Sequence, residues 1–198
     1  MNHVVVGIGG LAKQALSTFN KERPLLFYVN MDIEDDEFYE HPIIKSKVDL
    51  PKTFTFSVCI GDPKWRKKFY EEMSSLGGDP LNTYGNYNII EKVDIEKGNM
   101  FLNYVLVELG SKIGSGNLFN CYSSVFHDVE IGDFNEIMPG AKILGGAKIG
   151  NSCRIGTNSV IFPKVKICDN VVIGSGSIVR KDINESGTYV GSPIRRIK

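Results

Sequence analysis

Between residues 89 and 179 an apolar side chain recurs at every sixth position, and this period constrains the fold more than any other feature of the chain. The sixteen residues at this spacing are Ile89, Ile95, Phe101, Val107, Ile113, Phe119, Val125, Ile131, Ile137, Ile143, Ile149, Ile155, Ile161, Ile167, Ile173 and Val179. Because 42% of the chain is hydrophobic, such an unbroken series would arise by chance roughly once in a million trials. Neither an α-helix nor an alternating strand has a period of six. The repeat predicts a parallel β-helix of five coils and a remainder, in which residues 18 apart stack.

Each repeat also predicts which residues form its corner. The residue four places after the apolar one is mostly small, as at Ser111, Ser123, Ala141, Ala147, Ser159 and Ser177. The two positions in between hold turn residues in most repeats, for example Pro139-Gly140. One corner instead carries His127-Asp128, and the corner stacked on it 18 residues later is Gly145-Gly146. We therefore expect an exposed imidazole beside a coil that offers no side chain, which leaves room for an extended ligand.

The first 78 residues have a different pattern, in which strand and helix signals alternate. Apolar runs predict strands at 4–8, 24–30 and 54–60, and a helix is expected at 11–21. Asp62 and Pro63 predict the start of a second helix at 64–73, whereas the acidic segment 31–42 is loop-like. The chain is thus expected to fold as an α/β Rossmann-like half domain (1–78), followed by an all-β parallel β-helix with a short C-terminal tail (79–198).

A glycine turn after the first strand indicates phosphate binding. Gly7, Gly9 and Ala12 fit the dinucleotide pattern G-x-G-x-x-G/A, so an NAD-dependent enzyme is one hypothesis. However, only about 78 residues and three strands precede the repeats, which is one mononucleotide-binding half. Such a half can hold the phosphates of one nucleotide at the helix after Gly10, with Asn30 or Asp32 contacting the base or ribose.

Composition narrows the function classes. Acidic and basic residues balance at 23 each, which argues against a nucleic-acid backbone binder. No apolar run approaches the roughly 20 residues that span a bilayer, and no secretory leader is recognisable. The four cysteines are widely spaced, so the default expectation is a reducing cytoplasm.

His127 is the one histidine in the repeats, and its chemistry can be interpreted in two ways. Histidine accepts a proton near neutral pH, and Asp128 is available to orient it, so the pair is a candidate for general-base catalysis. The alternative is a solvated corner histidine. A metal-dependent hydratase of this shape would need three histidines at a subunit boundary, but the other two, His3 and His41, precede the repeats. We therefore expect no metal.

The segment SSVFHDVEIGDFNEIMPGAKILGG resembles the string H-D-C-x-I-G-D-F-x-H-I-x-P-G-A of bacterial hexapeptide-repeat acetyltransferases, which acylate nucleotide-linked amino sugars or sialic acid. The segments GIGGLAK and VCIGDPKWRKK resemble the sugar-nucleotide domain of this family, and GTYVGSPIRRIK resembles its C-terminal ending. The resemblance implies a left-handed β-helix and a cytoplasmic homotrimer, with acetyl-CoA in the cleft between adjacent solenoids. It also implies that His127 removes a proton from the acceptor, which attacks the thioester directly.

The resemblance assigns roles to further residues. Those implied to hold the nucleotide sugar are Gly9, Gly10, Lys13, Gly61 and Glu136, beside Asn30 and Asp32 from the nucleotide-binding half; those implied to hold acetyl-CoA are Gly145, Thr157 and Ser175. Ordinary turn chemistry is the alternative for the last three, and an ion pair with Arg154, one coil away, is the alternative for Glu136.

Two departures from the family leave other functions open. Glu136 and Leu11 stand where family members carry histidines. The leading hypothesis is N-acetylation of a nucleotide-activated amino sugar. The alternatives are O-acetylation of sialic acid or another sugar, transfer of a longer acyl chain, and a catalytically weakened protein that binds a nucleotide sugar or CoA.

Overall fold

The N-terminal half of the protein is built on a parallel β-sheet. The computed structural model describes residues 1–19, 24–30 and 33–198. The elements are β1 (Asn2–Val6), α1 (Gly10–Ala15), β2 (Leu25–Tyr28), β3 (Glu37–Phe38), β4 (His41–Ile44), β5 (Phe54–Val58), α2 (Pro63–Ser75) and β6 (Asp79–Pro80), with single 3-10 turns at Leu16–Thr18 and Lys47–Asp49. The strand order is β3-β4-β2-β1-β5-β6, and every pair is parallel except β3 with β4.

The first strand and the first helix differ in extent from the prediction. β1 ends at Val6 because Gly7 adopts a φ of +104°, which L side chains rarely adopt. Over the described residues 11–19, the expected helix 11–21 is α1 followed by a 3-10 turn, and the hydroxyl of Thr18 donates to the carbonyl of Ala15 at 2.6 Å; the last two predicted residues, 20 and 21, lie outside the described residues. Such local bonding competes with continuation of a helix. By contrast, α2 begins where predicted, since the Asp62 carboxylate accepts the N–H groups of Lys64 and Trp65.

The acidic segment 31–42 was expected to be a loop, and this was wrong for its second part. β3 and β4 form a hairpin around Tyr39 and Glu40, whose φ values are +48° and +66°. Two successive positive φ values define the two-residue turn that joins antiparallel strands. β4 also pairs with β2, so it adds a strand to the sheet. Neither turn residue is the usual glycine or asparagine, which is why the sequence pattern did not reveal the hairpin.

The second half is a solenoid with three flat sides. Its strands are β7 (Thr83–Tyr84), β8 (Ile89–Ile90), β9 (Asp94–Ile95), β10 (Met100–Phe101), β11 (Leu106–Val107), β12 (Lys112–Ile113), β13 (Leu118–Phe119), β14 (Ser124–Val125), β15 (Glu130–Ile131), β16 (Glu136–Ile137), β17 (Lys142–Ile143), β18 (Lys148–Ile149), β19 (Arg154–Ile155), β20 (Val160–Ile161), β21 (Lys166–Ile167), β22 (Val171–Ile173), β23 (Ile178–Val179), β24 (Gly187–Val190) and β25 (Arg195–Arg196). We call the three sheets face A (β7-β10-β13-β16-β19-β22-β24-β25), face B (β8-β11-β14-β17-β20-β23) and face C (β9-β12-β15-β18-β21). Each corner is named by the two faces that it joins.

The period-six residues form the core of this solenoid. All fourteen from Phe101 to Val179 are buried, and each stacks on the residue 18 places away in a parallel pair. The small residues that lie four places after them, from Ser111 to Ser177, are buried as well. Hexapeptide repeats and three sheets whose strands from β7 to β24 are parallel fit a left-handed β-helix. Its first strand, β7, lies six residues before the predicted first repeat.

The first repeat is out of register with the prediction. Ile89 was expected to point inward, but it is 58% exposed, and its neighbour Ile90 packs against the core instead. The strand pairs Ile90–Val107 and Tyr84–Phe101 are offset by 17 residues, whereas Ile95 pairs with Ile113 at the usual 18. One residue is therefore missing from the corner between β8 and β9. Because residues 89 and 90 are both isoleucine, the series of apolar residues at every sixth position still includes position 89, although Ile90 is the residue that packs inward.

The N-terminal half packs on face A. Met100, Leu102 and Leu118 belong to the same buried cluster as Val5, Phe27 and other apolar residues of the N-terminal sheet. On the other side of that sheet, the rings of Tyr70 and Phe134 meet edge to face at 5.2 Å. In the part of the chain that the structure describes, no helix is both long and apolar enough to cross a membrane. The division into 1–78 and 79–198 stays a prediction.

Candidate active site

His127 and Asp128 form a hydrogen-bonded pair on the B–C corner between β14 and β15. The Nδ1 atom of His127 lies 2.9 Å from Oδ2 of Asp128, and the imidazole is 60% exposed. Asp128 has a φ of +58°, in the left-handed region, like Asn158 and Asn170 at the corresponding position of other corners. With Nδ1 engaged by a carboxylate, Nε2 is the nitrogen left to accept a proton from a ligand.

The neighbouring coils hold this pair in place. A Cβ atom at Gly145 would lie 2.6 Å from Nε2 of His127, so the imidazole occupies the space that the missing side chain leaves. On the other side, a Cβ at Gly110 would collide with the Asp128 carboxylate. The Glu108 carboxylate accepts the backbone N–H of His127 at 3.0 Å. No motif in the sequence marks Glu108, although its separation of 19 residues from His127 places it on the adjacent coil.

The other two residues implied to hold acetyl-CoA lie on a different edge of the solenoid. Thr157 and Ser175 occupy successive turns of the A–B corner, where the carbonyl of Thr157 accepts the N–H of Gly176 at 2.8 Å. Within one chain the structure therefore groups Gly145 with His127 but not with Thr157 or Ser175.

Most residues expected to hold the nucleotide sugar lie at one edge of the N-terminal sheet. Gly9 and Gly10 follow β1, Asn30 follows β2 and Gly61 follows β5, and these three strands are parallel neighbours. A Cβ at Gly9 or Gly10 would meet no atom within 4 Å, so the space around this turn is open. Lys13 and Asn30 are exposed, and the Lys13 ammonium lies 5.9 Å from the centre of the Tyr39 ring. Asp32 lies outside the described residues.

Glu136 lies on face A, next to this edge. It is buried, and its carboxylate binds the Nε atom of Arg154 at 2.8 Å. The expected ion pair therefore exists, although in a buried position. The other carboxylate oxygen, Oε1, lies 3.2 Å from where a Cβ of Gly61 would be. Glu136 thus borders the N-terminal half, whereas His127 lies on the corner opposite face A.

The cysteines offer no nucleophile beside His127. Cys121 lies on the A–B corner, away from His127, and Cys153 is buried, which raises the pKa of its thiol to about 11. Among residues 1–19, 24–30 and 33–198, no group of three or more histidine, cysteine, aspartate or glutamate side chains is arranged to hold a metal ion.

Comparison with known proteins identifies the repeats and a relative. The family model described as "Bacterial transferase hexapeptide (six repeats)" matches residues 128–163 and 146–181. The chain is 30% identical over 138 residues to a GDP-perosamine N-acetyltransferase of Escherichia coli O157:H7. The match covers 69% of this chain and 54% of the relative, so the chain spans about half the length of the curated relative.

Solved structures show the same fold over the whole chain. The acetyltransferase domain of PglB from Neisseria gonorrhoeae FA1090 is 24% identical, with a TM-score of 0.86 and 99% coverage of both chains. PerB from Caulobacter crescentus, in complex with CoA and GDP-perosamine, is 21% identical, with a TM-score of 0.89 and coverage of 100% of this chain and 98% of that one. The family match and the curated relative confirm the resemblance to hexapeptide-repeat sugar acetyltransferases, and the solved structures confirm the fold.

Proposed function

We propose that this chain, which carries the hexapeptide repeats of bacterial transferases, transfers the acetyl group of acetyl-CoA to the amino group of a nucleotide-linked amino sugar. The observation that carries the proposal is the His127–Asp128 pair, with Nδ1 and Oδ2 2.9 Å apart on an exposed corner of the solenoid. The name of the 30% identical relative supports the reaction class. The proposal treats acetyl-CoA as a substrate and requires no metal.

The proposed mechanism uses His127 as the general base. Asp128 accepts the Nδ1 proton of the imidazole, which leaves the lone pair on Nε2. Nε2 takes a proton from the acceptor amine while the amine nitrogen attacks the thioester carbonyl carbon. The C–S bond then breaks, and the imidazolium returns its proton to the departing thiolate. Glu108 and Gly145 contribute by fixing the backbone and the ring of His127.

We propose that the acceptor binds at the carboxyl edge of a Rossmann-like half domain (1–78), and that residues 79–198 form the acyltransferase domain. Open space around Gly9 and Gly10 supports this site. Ligands bind beyond the carboxyl ends of the strands in open parallel sheets. Lys13, Asn30 and Gly61 belong to the proposed site, and Asp32 stays a prediction.

The proposed active unit is a homotrimer. Within one chain the acceptor edge borders face A, whereas His127 lies on the opposite B–C corner, so the two sites face different directions. Gly145 and the pair Thr157 and Ser175 are likewise on different corners. A site assembled from adjacent copies would bring these surfaces together, with acetyl-CoA in the cleft between two solenoids. Because the reaction consumes acetyl-CoA, the proposal includes a cytoplasmic location.

The test is acetyl transfer to a panel of acceptors. The wild-type chain is incubated with acetyl-CoA and with amino sugars linked to UDP, GDP or dTDP, starting with GDP-perosamine, or with free sialic acid. Thiol release gives the rate and mass spectrometry gives the product. We expect turnover with at least one nucleotide amino sugar and a loss of about 10²- to 10⁴-fold in His127→Ala. His41→Ala, which removes a histidine on β4, serves as the matched control and should retain activity.

Each other outcome has a distinct meaning. Near-normal turnover in His127→Ala would contradict the mechanism. Transfer to free sialic acid alone would show that the acceptor is a hydroxyl group of sialic acid and not the amino group of a nucleotide-linked sugar. Binding of a nucleotide sugar and of CoA without any transfer would identify a binding protein instead of an enzyme.

A further inference from the structure

Arg66, on the second turn of α2, is a cation enclosed between the two halves of the protein. It is 2% exposed, although arginine is almost never fully buried without partners. Its guanidinium has five N–H donors in a rigid planar arrangement. The structure gives it five hydrogen bonds, all to backbone carbonyl groups.

These five bonds join three separate segments of the chain. Two run from Nη1 to the carbonyl groups of Ile60 and Gly61, at 2.9 and 2.6 Å, in the loop that follows β5. One runs from Nε to Gly116 at 2.8 Å, on a C–A corner. Two run from Nη2 to Phe134 and Asn135, at 3.1 and 2.8 Å, on the C–A corner of the next coil. One side chain thus fastens the β5 loop to two successive coils.

The charge of Arg66 is balanced by acidic groups at the same junction. Burial lowers the pKa of Arg66 to about 10; the carboxylates of Glu136 and Asp62 oppose this shift, and Arg154 adds to it. The guanidinium therefore remains charged at neutral pH. Glu136 lies between Arg154, which it binds at 2.8 Å, and Gly61. Its carboxylate thus lies between Arg154 and the loop that Arg66 holds, close enough to affect the pKa of Arg66.

We propose that Arg66 is a positioning residue, which fixes the Ile60–Gly61 loop, and with it the acceptor edge of the N-terminal sheet, against the coils, while Glu136 balances the buried charge. The inference rests on the proposed function and deepens it. It assigns Glu136 to the support of this loop instead of to direct contact with the sugar. Because Arg66 acts through the loop, its loss should weaken acceptor binding more than acetyl-CoA binding.

The experiment uses Arg66→Lys in the full chain, since lysine keeps the charge but its single nitrogen cannot reach all three segments. Lys68→Ala, which alters an exposed residue of the same helix, is the matched control. Hydrogen exchange is followed by mass spectrometry in peptides that cover residues 59–62 and 115–118. KM for the acceptor and KM for acetyl-CoA are then measured separately.

We expect both peptides to exchange about tenfold faster in Arg66→Lys than in the wild type and in Lys68→Ala. The acceptor KM should rise about tenfold, and KM for acetyl-CoA should change less than twofold. Unchanged exchange would overturn the inference, and so would two KM values that stay constant or rise together. If the wild-type chain acetylates no acceptor, the proposed function fails on its own, and the exchange measurement still decides whether Arg66 holds the loop.

Discussion

Replacing Gly145 by alanine tests whether the imidazole of His127 is the catalytic group. The added Cβ would lie 2.6 Å from Nε2 and 2.7 Å from Cε1 of His127. Non-bonded carbon and nitrogen atoms prefer separations of about 3.5 Å or more, so the ring must withdraw by about 1 Å. A misplacement of about 1 Å can cost about 100-fold in rate, which corresponds to about 2.7 kcal/mol of activation free energy.

The stability of the fold should not follow the rate. Gly145 does not have a positive φ, so alanine fits the backbone, and the exposed ring can move without disturbing the core. Alanine also reduces the conformational entropy of the unfolded chain, which stabilises by up to about 1 kcal/mol. We therefore expect the urea midpoint of Gly145→Ala to equal or exceed that of the wild type, while kcat falls about 100-fold.

The assay is steady-state acetyl transfer with both substrates varied, in Gly145→Ala, His127→Ala and the double variant. If Gly145 acts through His127, the alanine at 145 should have no further effect once the imidazole is gone. A kcat within twofold of the wild type would refute this reasoning. A rise confined to KM for acetyl-CoA would refute it as well, because Gly145 would then contact the donor as the family resemblance implies.

Three further predictions concern the fold. Ile90→Ala should lower the free energy of unfolding by about 1–2 kcal/mol, whereas Ile89→Ala should change it by less than about 0.5 kcal/mol, because of these two residues only Ile90 packs against the core. Equal losses of the two variants in urea denaturation would contradict the shifted register of this strand. Asn117→Ala should cost about 3 kcal/mol in the same measurement, because the amide oxygen accepts the buried N–H of Asn135 at 2.7 Å and the amide nitrogen donates to Gly114 at 3.0 Å; a loss below about 1 kcal/mol would contradict this. Burial raises the pKa of the Cys153 thiol to about 11, so little of the reactive thiolate is present at pH 8. Iodoacetamide at pH 8 should therefore label the native protein at Cys168, which is partly exposed, before it labels Cys153. If mass spectrometry finds Cys153 labelled first, the core of the solenoid is accessible to the reagent and this prediction is wrong.

The solenoid could be predicted because its information is local and repeated. In each six-residue repeat, the inward residue must be apolar, and the residue just before the next strand must be small. Each repeat therefore reports the same constraint independently, and fourteen consecutive repeats agree with the structure. The prediction was wrong only at Ile89, where an adjacent isoleucine hid a missing residue. The six-residue period also locates the corner that holds His127 and Asp128, because this pair stands where most other repeats carry turn residues.

The hairpin at Tyr39 and Glu40 could not be predicted from the residues that form it. Both residues adopt positive φ without being glycine or asparagine. The strand that follows the turn is held by its pairing with β2, which lies more than ten residues earlier in the chain. Local propensity therefore pointed to a loop, and pairing with the sheet overrode it.

The sequence by itself determined the period, the three-sided coil, the inward residues and the corner of the His127–Asp128 pair, because each depends on residues within one or two repeats. Tertiary structure decided the environment of Glu136 and Arg66. Glu136 was one candidate for sugar contact, but it is buried beside Arg154 and the Gly61 loop. The carbonyl groups of Phe134 and Asn135 that hold Arg66 lie 68 and 69 residues away. Backbone carbonyls are present at every position, so no residue type marks the ones that a buried guanidinium will bind; only the packing of α2 against the coils selects them.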